Sequence, residues 1–288
     1  LVALFYTLVD MKSIFFTVAL VIIICPATFT RSYNMKKILF TICGRAGSKG
    51  VAGKNLKTIY GKPMVYYSLS AIDLFIKENP EYDCDIVLNT DSSLLVDLVT
   101  AKYPEVDVII RDESLAGDSV AKEDVYRDCV LQMEKRKNKK YDMLIDLDIT
   151  SPLRQAEDLP GIVKMFLSED DLDLVMSAAE SRRNPYYNMA RLDDKGYACR
   201  VIENRNTARQ QAPICYDVNA SLYVFSRDFL VEKMTFDLWQ GKIKIYPMMD
   251  TGILDIDSEN DYMMIDALSS ILFEKIDGFK KIRDNIRE

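Results

Sequence analysis

The sequence of 288 residues contains no histidine. This absence excludes catalytic triads of the Ser-His-Asp and Cys-His types, zinc sites built on histidine, and imidazole as a general base. Any catalytic site in this chain must therefore use carboxylates, lysine, arginine, tyrosine, backbone amides or a hard metal ion.

Basic residues are also scarce relative to acidic ones, 37 against 44, which gives a net charge of −7. A nucleic-acid partner is therefore not expected, because proteins that bind nucleic acid without specificity carry a basic surface. The six cysteines form no Cys-x-x-Cys pair, and several lie in apolar runs, where cysteine behaves as a small hydrophobe. This pattern favours a reduced, cytoplasmic protein.

The first 34 residues differ in character from the rest of the chain. An apolar run at residues 14–25 follows Lys12 and precedes Pro26, which is the order of a secretory signal peptide. The run is too short to span a bilayer comfortably. The alternative interpretation starts the protein at Met35 and treats residues 1–34 as translated upstream sequence. We expect the second, with a membrane partner only if residues 1–34 are genuine.

From Met35 onward, short apolar runs alternate with longer amphipathic stretches. Strands are predicted over residues 37–43, 85–89, 106–110, 142–147, 173–178, 220–225 and 242–246, and helices over residues 64–76, 92–102, 119–135, 157–167 and 258–275. The alternation predicts an α/β fold over residues 35–288, with a doubly wound, mostly parallel sheet between two layers of helices. Residues 180–215 are polar and break the rhythm, and we interpret them as a long loop or a small β-hairpin excursion.

A glycine-rich basic loop at residues 44–55 follows the first strand. Glycine at every third position lets the backbone approach a ligand and turn its N–H groups toward an anion. Arg45, Lys49 and Lys54 add three cations. The spacing fits neither a Walker loop nor a dinucleotide fingerprint. A solvated surface loop is the alternative, but the position at the carboxyl end of the first strand favours a triphosphate site.

Two aspartates, Asp255 and Asp257, precede the last predicted helix, where we expect the end of a strand. In an extended segment two carboxylates separated by one residue point the same way. Oxygen ligands of this kind suit Mg²⁺, which bridges carboxylates to phosphates. The alternative is that Asp257 or Ser258 caps the helix.

Further polar residues follow other predicted strands. Asp91, Arg111 and Asp148 each end or follow one, and ligands in such sheets bind at that edge, so a shared site is expected. The segment at residues 209–223 is rich in arginine, amides and phenols, which suits a substrate with a carboxylate and hydroxyl groups. A polar hairpin with a tyrosine in the core is the alternative.

Taken together, these segments resemble the acylneuraminate cytidylyltransferases (CMP-sialic acid synthetases), which activate acidic sugars with CTP. The resemblance extends over about residues 36–267. Its motifs are R-A-G-S-K-G-V-A-G-K-N, T-S-P-L-R, R-Q-x-x-P-x-x-Y-x-x-N-A-x-L-Y and D-I-D, in the family's order. Two of the runs, T-I-C-G-R and L-D-I-T-S-P, look nearer to members that use bacterial sialic-acid analogues such as legionaminic acid.

The resemblance implies a nucleotide-diphospho-sugar transferase-like, Rossmann-like three-layer fold and a homodimer joined through residues 180–215. It implies CTP and a sugar acid as substrates and Mg²⁺ as cofactor. The residues that would take part in nucleotide binding are Arg45, Ser48, Lys49, Lys54, Asn55, Asp91, Arg111 and Asp148. The residues that would bind the sugar are Arg209, Gln210, Tyr216, Asn219 and Tyr223. Asp255 and Asp257 would hold the metal, and Arg45, Lys49 and Asp255 would be catalytic.

Two residues depart from the family's pattern. Asp148 stands where many members have a glutamine, and a carboxylate cannot donate as an amide does. Asp217 occupies a place where some sialic acid enzymes carry arginine. The alternatives are therefore CTP-dependent activation of another acid, such as the eight-carbon Kdo, use of a different nucleotide on the same fold, or a catalytically inactive relative that only binds its ligands.

Overall fold

A mixed seven-stranded sheet lies at the centre of the structure, a computed structural model that describes residues 35–47, 50–117, 120–203 and 208–288. Residues Lys36–Glu288 form one unit, and the leader predicted over residues 1–34 lies outside the described residues. The described strands are β1 (Lys37–Cys43), β2 (Thr58–Ile59), β3 (Lys62–Pro63), β4 (Asp83–Thr90), β5 (Asp107–Ile110), β6 (Met143–Leu147), β7 (Leu174–Glu180), β8 (Ala190–Leu192), β9 (Ala198–Arg200), β10 (Tyr216–Ser226) and β11 (Ile243–Pro247).

Six α-helices connect or flank these strands in the part of the chain that is described. They are α1 (Met64–Glu78), α2 (Ser93–Thr100), α3 (Lys122–Lys137), α4 (Asp158–Phe166), α5 (Glu259–Lys275) and α6 (Asp277–Asp284). Short 3₁₀ turns occur at Lys54–Leu56, Glu113–Leu115, Arg209–Gln211, Leu238–Gln240 and Asp250–Ile253, and a π-helical turn at Phe229–Lys233. None of the helices described here has the length and apolar character needed to cross a membrane.

The strand order across the sheet is β11-β7-β10-β6-β1-β4-β5. Neighbouring strands are parallel except at β10, which runs antiparallel to both β6 and β7. The prediction of a doubly wound, mostly parallel sheet is therefore confirmed, with one reversed strand that the sequence pattern did not indicate.

Apolar side chains cover both faces of the sheet, because successive residues of a strand point to opposite sides. On one face Phe40 of β1 and Ile145 of β6 join the core formed with α1, α4, α5 and α6. On the other face Leu39 of β1 and Leu144 of β6 pack against α3. Strands covered on both faces read as continuous apolar runs, which is why β1 was predicted with its observed bounds.

Capping residues determine where two of the helices start. The Ser92 side chain accepts from the Leu95 amide at the start of α2, and Ser258 forms a capping box with Asp261 at the start of α5. Pro63 was expected at the first position of α1 but stands just before it, as the cap residue. Helix α3 starts at Lys122 rather than at the expected residue 119, which lies outside the described residues.

The polar stretch at residues 180–215 contains the short antiparallel pair β8–β9. Of the two interpretations of this stretch, the hairpin excursion is therefore the correct one for the described residues.

Candidate active site

A polar cavity of about 280 Å³ opens at the carboxyl edge of the sheet. Its walls come from the segments that follow three strands: Gly44 and Arg45 after β1, Arg111 after β5, and Asp148 and Thr150 after β6. Residues Lys54, Asn55, Lys122, Asp255 and Asp257 complete its polar lining. Of the three polar strand ends expected to share a site, Arg111 and Asp148 line this cavity.

The glycine-rich loop is held in place by the neighbouring strand and by its own side chains. The Gly44 amide donates to the Asn89 carbonyl of β4 over 3.1 Å, and the Ala46 amide donates to the Asp91 carboxylate over 2.6 Å. The Asn55 side-chain amide donates to the Arg45 carbonyl over 3.0 Å. Asp91 therefore shapes the loop and does not line the cavity.

Two of the candidate residues in this loop, Ser48 and Lys49, lie outside the described residues. Their assignment to the nucleotide stays a prediction.

The far end of the loop packs against the aspartate segment that precedes α5. The Lys54 ammonium donates to the Ile256 carbonyl over 3.0 Å and to the Asp257 carboxylate over 3.2 Å. These contacts join residues about two hundred positions apart in the chain. The basic loop and the two aspartates therefore belong to one structural site.

The two aspartates differ in their surroundings. Asp255 is half-buried, and its Oδ1 atom is buried without a hydrogen-bond partner among the described residues. Burial and the nearby charge of Asp148 raise its pKa, although Thr150 and Lys54 act in the opposite direction. Asp257 is exposed apart from its contact with Lys54. A buried carboxylate oxygen without a donor fits a divalent cation, which satisfies such an oxygen directly.

The prediction that this segment ends a strand is wrong. Strand β11 stops at Pro247, and the 3₁₀ turn Asp250–Ile253 separates it from the two aspartates. Ser258 caps α5 through its own side chain, so neither aspartate is used as the cap. The described residues contain no group of three potential metal ligands.

Asp148 is paired with a residue that the sequence pattern did not single out. Its Oδ2 atom accepts from the Lys122 ammonium, and its Oδ1 atom accepts from the Thr150 amide at 2.8 Å and the Thr150 hydroxyl at 2.7 Å. Burial alone would raise the pKa of Asp148, but Lys122 and Thr150 outweigh it and hold the pKa well below its usual value. Asp148 is thus an ionised carboxylate whose charge Lys122 balances.

Arg111 follows β5 and is held at the cavity wall by Asn89 of the neighbouring strand β4. Its Nε donates to the Asn89 side-chain oxygen over 2.6 Å, and its Nη2 donates to the Asn89 carbonyl over 3.3 Å. Beside it the wall becomes apolar, with Leu115, Val120 and Val125. A cation next to an apolar wall suits a flat, polar-edged ring such as a nucleobase.

Cys43 also lines the cavity, which raises the question of a thiolate nucleophile. A hydrogen bond with Cys129 and burial raise the pKa of the Cys43 thiol well above its usual value. Since the thiolate is the reactive form, Cys43 is not suited to nucleophilic catalysis.

The candidate sugar-binding residues lie on and before β10, and those whose side chains are described do not line the cavity. Tyr223 is half-buried and pairs in register with Asp146 of β6. Asn219 is buried, and its side-chain oxygen accepts from Ser177 and from the Ser221 amide, where the β10–β7 register shifts. The Asn219 side-chain amide therefore supports the irregular part of β10 from inside the protein.

The other candidates of this segment are not brought to the cavity. Gln210 and Tyr216 are exposed, and so is Asp217, the residue that departs from the family's pattern. The backbone of Arg209 starts a 3₁₀ turn, and its side chain lies outside what the structure describes.

Arg154 ends the T-S-P-L-R motif, but no role of its own was predicted for it. Its side chain is 1% exposed and donates to the Ser68 and Ser221 hydroxyls and to the Asp148 and Ser221 carbonyls. Burial lowers its pKa to about 10. The arginine of the T-S-P-L-R motif thus joins α1, β6 and β10 beneath the cavity.

Comparison with known proteins agrees with this architecture. Post-translational flagellin modification protein B of Campylobacter coli is 36% identical over 235 residues, which cover 81% of this chain and 95% of that protein. CMP-N,N'-diacetyllegionaminic acid synthase of Campylobacter jejuni is 36% identical over 241 residues, which cover 82% of this chain and 97% of that enzyme.

A solved structure titled CMP:2-keto-3-deoxy-manno-octonic acid synthetase complexed with CTP shares the fold. Its TM-score is 0.59 at 15% sequence identity, with coverage of 82% of this chain and 99% of that one. The family model described as Cytidylyltransferase matches residues 39–283, almost the whole unit that carries the cavity. The chain therefore belongs to the cytidylyltransferase family of enzymes.

Proposed function

We propose that this enzyme couples CTP to a nine-carbon keto-sugar acid of the sialic or legionaminic type, giving the CMP-sugar and pyrophosphate. One observation carries the proposal: a single cavity holds the basic loop, through Arg45 and Lys54, and the buried Asp255 oxygen that lacks a donor. The 36% identity to a CMP-N,N'-diacetyllegionaminic acid synthase over most of both chains supports the choice of sugar.

The cavity offers separate places for the two ends of CTP. The loop amides, Arg45 and Lys54 suit the triphosphate, together with the predicted contacts of Ser48 and Lys49. Arg111 and the apolar wall beside it suit the cytosine ring. This orientation directs the phosphates toward Asp255 and Asp257.

Asp255 and Asp257 would hold a magnesium ion, since their oxygen atoms are the ligands that this ion prefers. Mg²⁺ held there would neutralise charge on the phosphate oxygens and lower the pKa of an attacking hydroxyl. The anomeric hydroxyl of the sugar gives its proton to solvent and its oxygen forms a bond to the α-phosphorus. The bond from that phosphorus to the bridging oxygen breaks, and pyrophosphate leaves with the bonding electrons. Lys54 and the loop amides stabilise the charge that develops, which needs no histidine.

Neither departure from the family's pattern favours the inactive-relative alternative. The charge of Asp148 is balanced by Lys122, so it does not repel a triphosphate as a bare carboxylate would. Asp217 is exposed on β10 and lies outside the cavity lining. Activation of Kdo is the second candidate function, and a panel of keto-sugar acids distinguishes it from the first.

A homodimer is part of this proposal. The excursion at residues 180–215 and the start of β10 expose large apolar side chains, which a second copy would cover. They include Tyr187, Met189, Leu192, Tyr197, Ile214, Tyr216 and Val218. Leu192 and Tyr197, each 70% exposed, make Leu192→Asp and Tyr197→Asp the variants expected to convert a dimer to a monomer in light scattering.

The dependence on CTP also supports a cytoplasmic location, as do the free thiols of the five described cysteines.

The deciding experiment measures pyrophosphate release with each of the four nucleoside triphosphates, Mg²⁺ and a panel of keto-sugar acids. We expect release with CTP and with legionaminic or sialic acid, and little with Kdo. An enzyme that releases no pyrophosphate with CTP and any acid of the panel would contradict the proposal. Preference for Kdo would retain the reaction and change the sugar.

A further inference from the structure

Lys122 occupies a position that helix stability does not explain. It is the first residue of α3, where the helix dipole is positive and a cation is unfavourable. The next two residues, Glu123 and Asp124, are acidic, and negative charge is favourable at the start of a helix. The presence of lysine at this position must therefore be explained by contacts outside the helix.

The ion pair with Asp148 is one such contact, but it does not occupy all the N–H donors of the Lys122 ammonium group. An ammonium has three N–H donors, and Asp148 is the acceptor that the described residues offer it. Both oxygens of Asp148 already have donors, two of them from Thr150. The Lys122 side chain is 47% exposed and lines the cavity, so its remaining donors face the space where substrate binds.

The start of α3 is fixed against the sheet. One turn after Lys122, the Tyr126 hydroxyl donates to Asp146 Oδ2 over 2.7 Å, and Thr41 donates to Asp146 Oδ1 over the same distance. This buried network anchors α3 to β1 and β6. The Lys122 ammonium is thus presented from a rigid element, as a preorganised contact requires.

Lys122 also lies where the nucleotide cavity meets the sugar-binding strand. Asp148, its partner, stands two residues after Asp146, which pairs in register with Tyr223 of β10. The charge of Lys122 acts on the Tyr223 phenol, whose pKa burial raises to about 12. Desolvation acts to lower the pKa of Lys122, but the nearby negative charges of Asp148 and Asp146 outweigh it and raise the pKa, so Lys122 stays protonated.

From this geometry we infer that Lys122 binds an anionic oxygen of the substrates at the junction of the two sites. The inference rests on the proposed function. Two groups there carry such an oxygen: the carboxylate of the sugar acid and the α-phosphate of CTP. A protonated ammonium cannot take the proton of the attacking hydroxyl, so its role is to hold and stabilise charge.

Steady-state kinetics of Lys122→Met test the inference, with the KM for each substrate and kcat measured separately. We expect kcat/KM to fall by about 10- to 100-fold, the effect of losing one hydrogen bond to a charged group. A rise confined to the KM for the sugar acid identifies the carboxylate. A fall in kcat, or a rise in the KM for CTP, identifies the α-phosphate. Lys122→Arg should recover part of the loss.

A double variant separates substrate contact from simple neutralisation of Asp148. If Lys122 only balances that carboxylate, Lys122→Met combined with Asp148→Asn removes both charges and should behave as Asp148→Asn alone does. If Lys122 contacts substrate, the double variant keeps the additional kinetic loss. Lys135→Met, at an exposed position of the same helix, is the matched control and should leave the kinetics unchanged.

Wild-type kinetics for Lys122→Met, or a double variant no worse than Asp148→Asn, would overturn the inference while the proposed function stands. Failure of the wild-type enzyme to release pyrophosphate would instead refute the proposed function. In that case calorimetric titration with CTP and each sugar acid still tests Lys122. Equal affinities of the wild type and Lys122→Met for all of them would then overturn the inference.

Discussion

The backbone carbonyl oxygen of Asp257 fills the space where a side chain at position 50 would begin, so only glycine fits beside it. A Cβ on Gly50 would overlap this oxygen, and a carbonyl of the backbone cannot move aside as the end of a side chain can. Gly50 is therefore required for close contact between the basic loop and the aspartate segment.

Substitution of Gly50 by alanine should displace the loop from the aspartates. A displacement of about 1 Å at a catalytic site can cost about 10²-fold in rate, and we expect kcat to fall by that order. Gly47→Ala adds a methyl to the same loop that meets no described atom within 4 Å, so it measures the cost of a methyl in the loop without this overlap. Pyrophosphate release compares the two, and an equal loss in both would contradict the packing argument.

Asp255→Asn should separate activity from stability. The variant would lack a ligand of the proposed Mg²⁺ site, and we expect kcat to fall by at least about 10²-fold. The metal-free protein should be as stable as the wild type or more so, since the change removes a buried charge whose Oδ1 has no donor. Thermal unfolding with and without Mg²⁺ and CTP checks this, because ligands that bind only the folded state raise Tm. Normal pyrophosphate release by the variant would refute the metal assignment.

Arg154→Met should destabilise the protein rather than act on one substrate. The buried guanidinium satisfies four oxygen atoms around Ser68, Asp148 and Ser221, and methionine satisfies none of them. The expected loss in the free energy of unfolding is about 2–4 kcal/mol, measured by urea titration. Arg182→Met is the control, because its ion pair with Asp250 is on the surface and should contribute less than about 1 kcal/mol.

Asp158 gives the stability a pH dependence that can be isolated by one substitution. The carboxylate is buried at the start of α4 and accepts from the Gln155 amide over 2.7 Å. Burial raises its pKa to about 6, above the value of 3.8 for the free side chain. A raised pKa contributes stability that is present below pH 3.8 and is lost as the pH rises through 6.

Asp158→Asn keeps an acceptor for the Gln155 amide and removes the titration. The variant should match the wild type near pH 4 and exceed its free energy of unfolding by up to about 3 kcal/mol above pH 6. Urea unfolding across this range measures the difference. A constant difference at all pH values would show that burial of the charge is not its cause.

The parts of the fold that hydrophobic periodicity predicted are those buried on both sides. Strand β1 was predicted with its observed bounds because water reaches neither face of it. The reversed direction of β10 could not be predicted in this way, because a strand carries the same alternation in either direction. Its orientation depends on pairing with β6 and β7, which are distant in sequence.

For the site, the sequence predicted that several polar strand ends lie close together, but it did not predict which side chains they contact. Lys122 was missed because the helix was expected to begin at residue 119, which hid the unusual position of a lysine at its first residue. Asp255 was selected for a sound chemical reason although its segment is not a strand end. Contacts such as Lys122 to Asp148 depend on how helices dock on the sheet, which local pattern does not determine.

The reversed strand β10 has a consequence for the order in which the protein folds. Strands β1, β4, β5 and β6 can pair with one another once residue 147 has been synthesised, whereas both neighbours of β7 come later in the chain. The half of the sheet that carries the glycine-rich loop can therefore form on the ribosome before the half that contains β10. A pause in synthesis between residues 180 and 216 would leave both edges of β7 unpaired, the condition under which strands of different chains join.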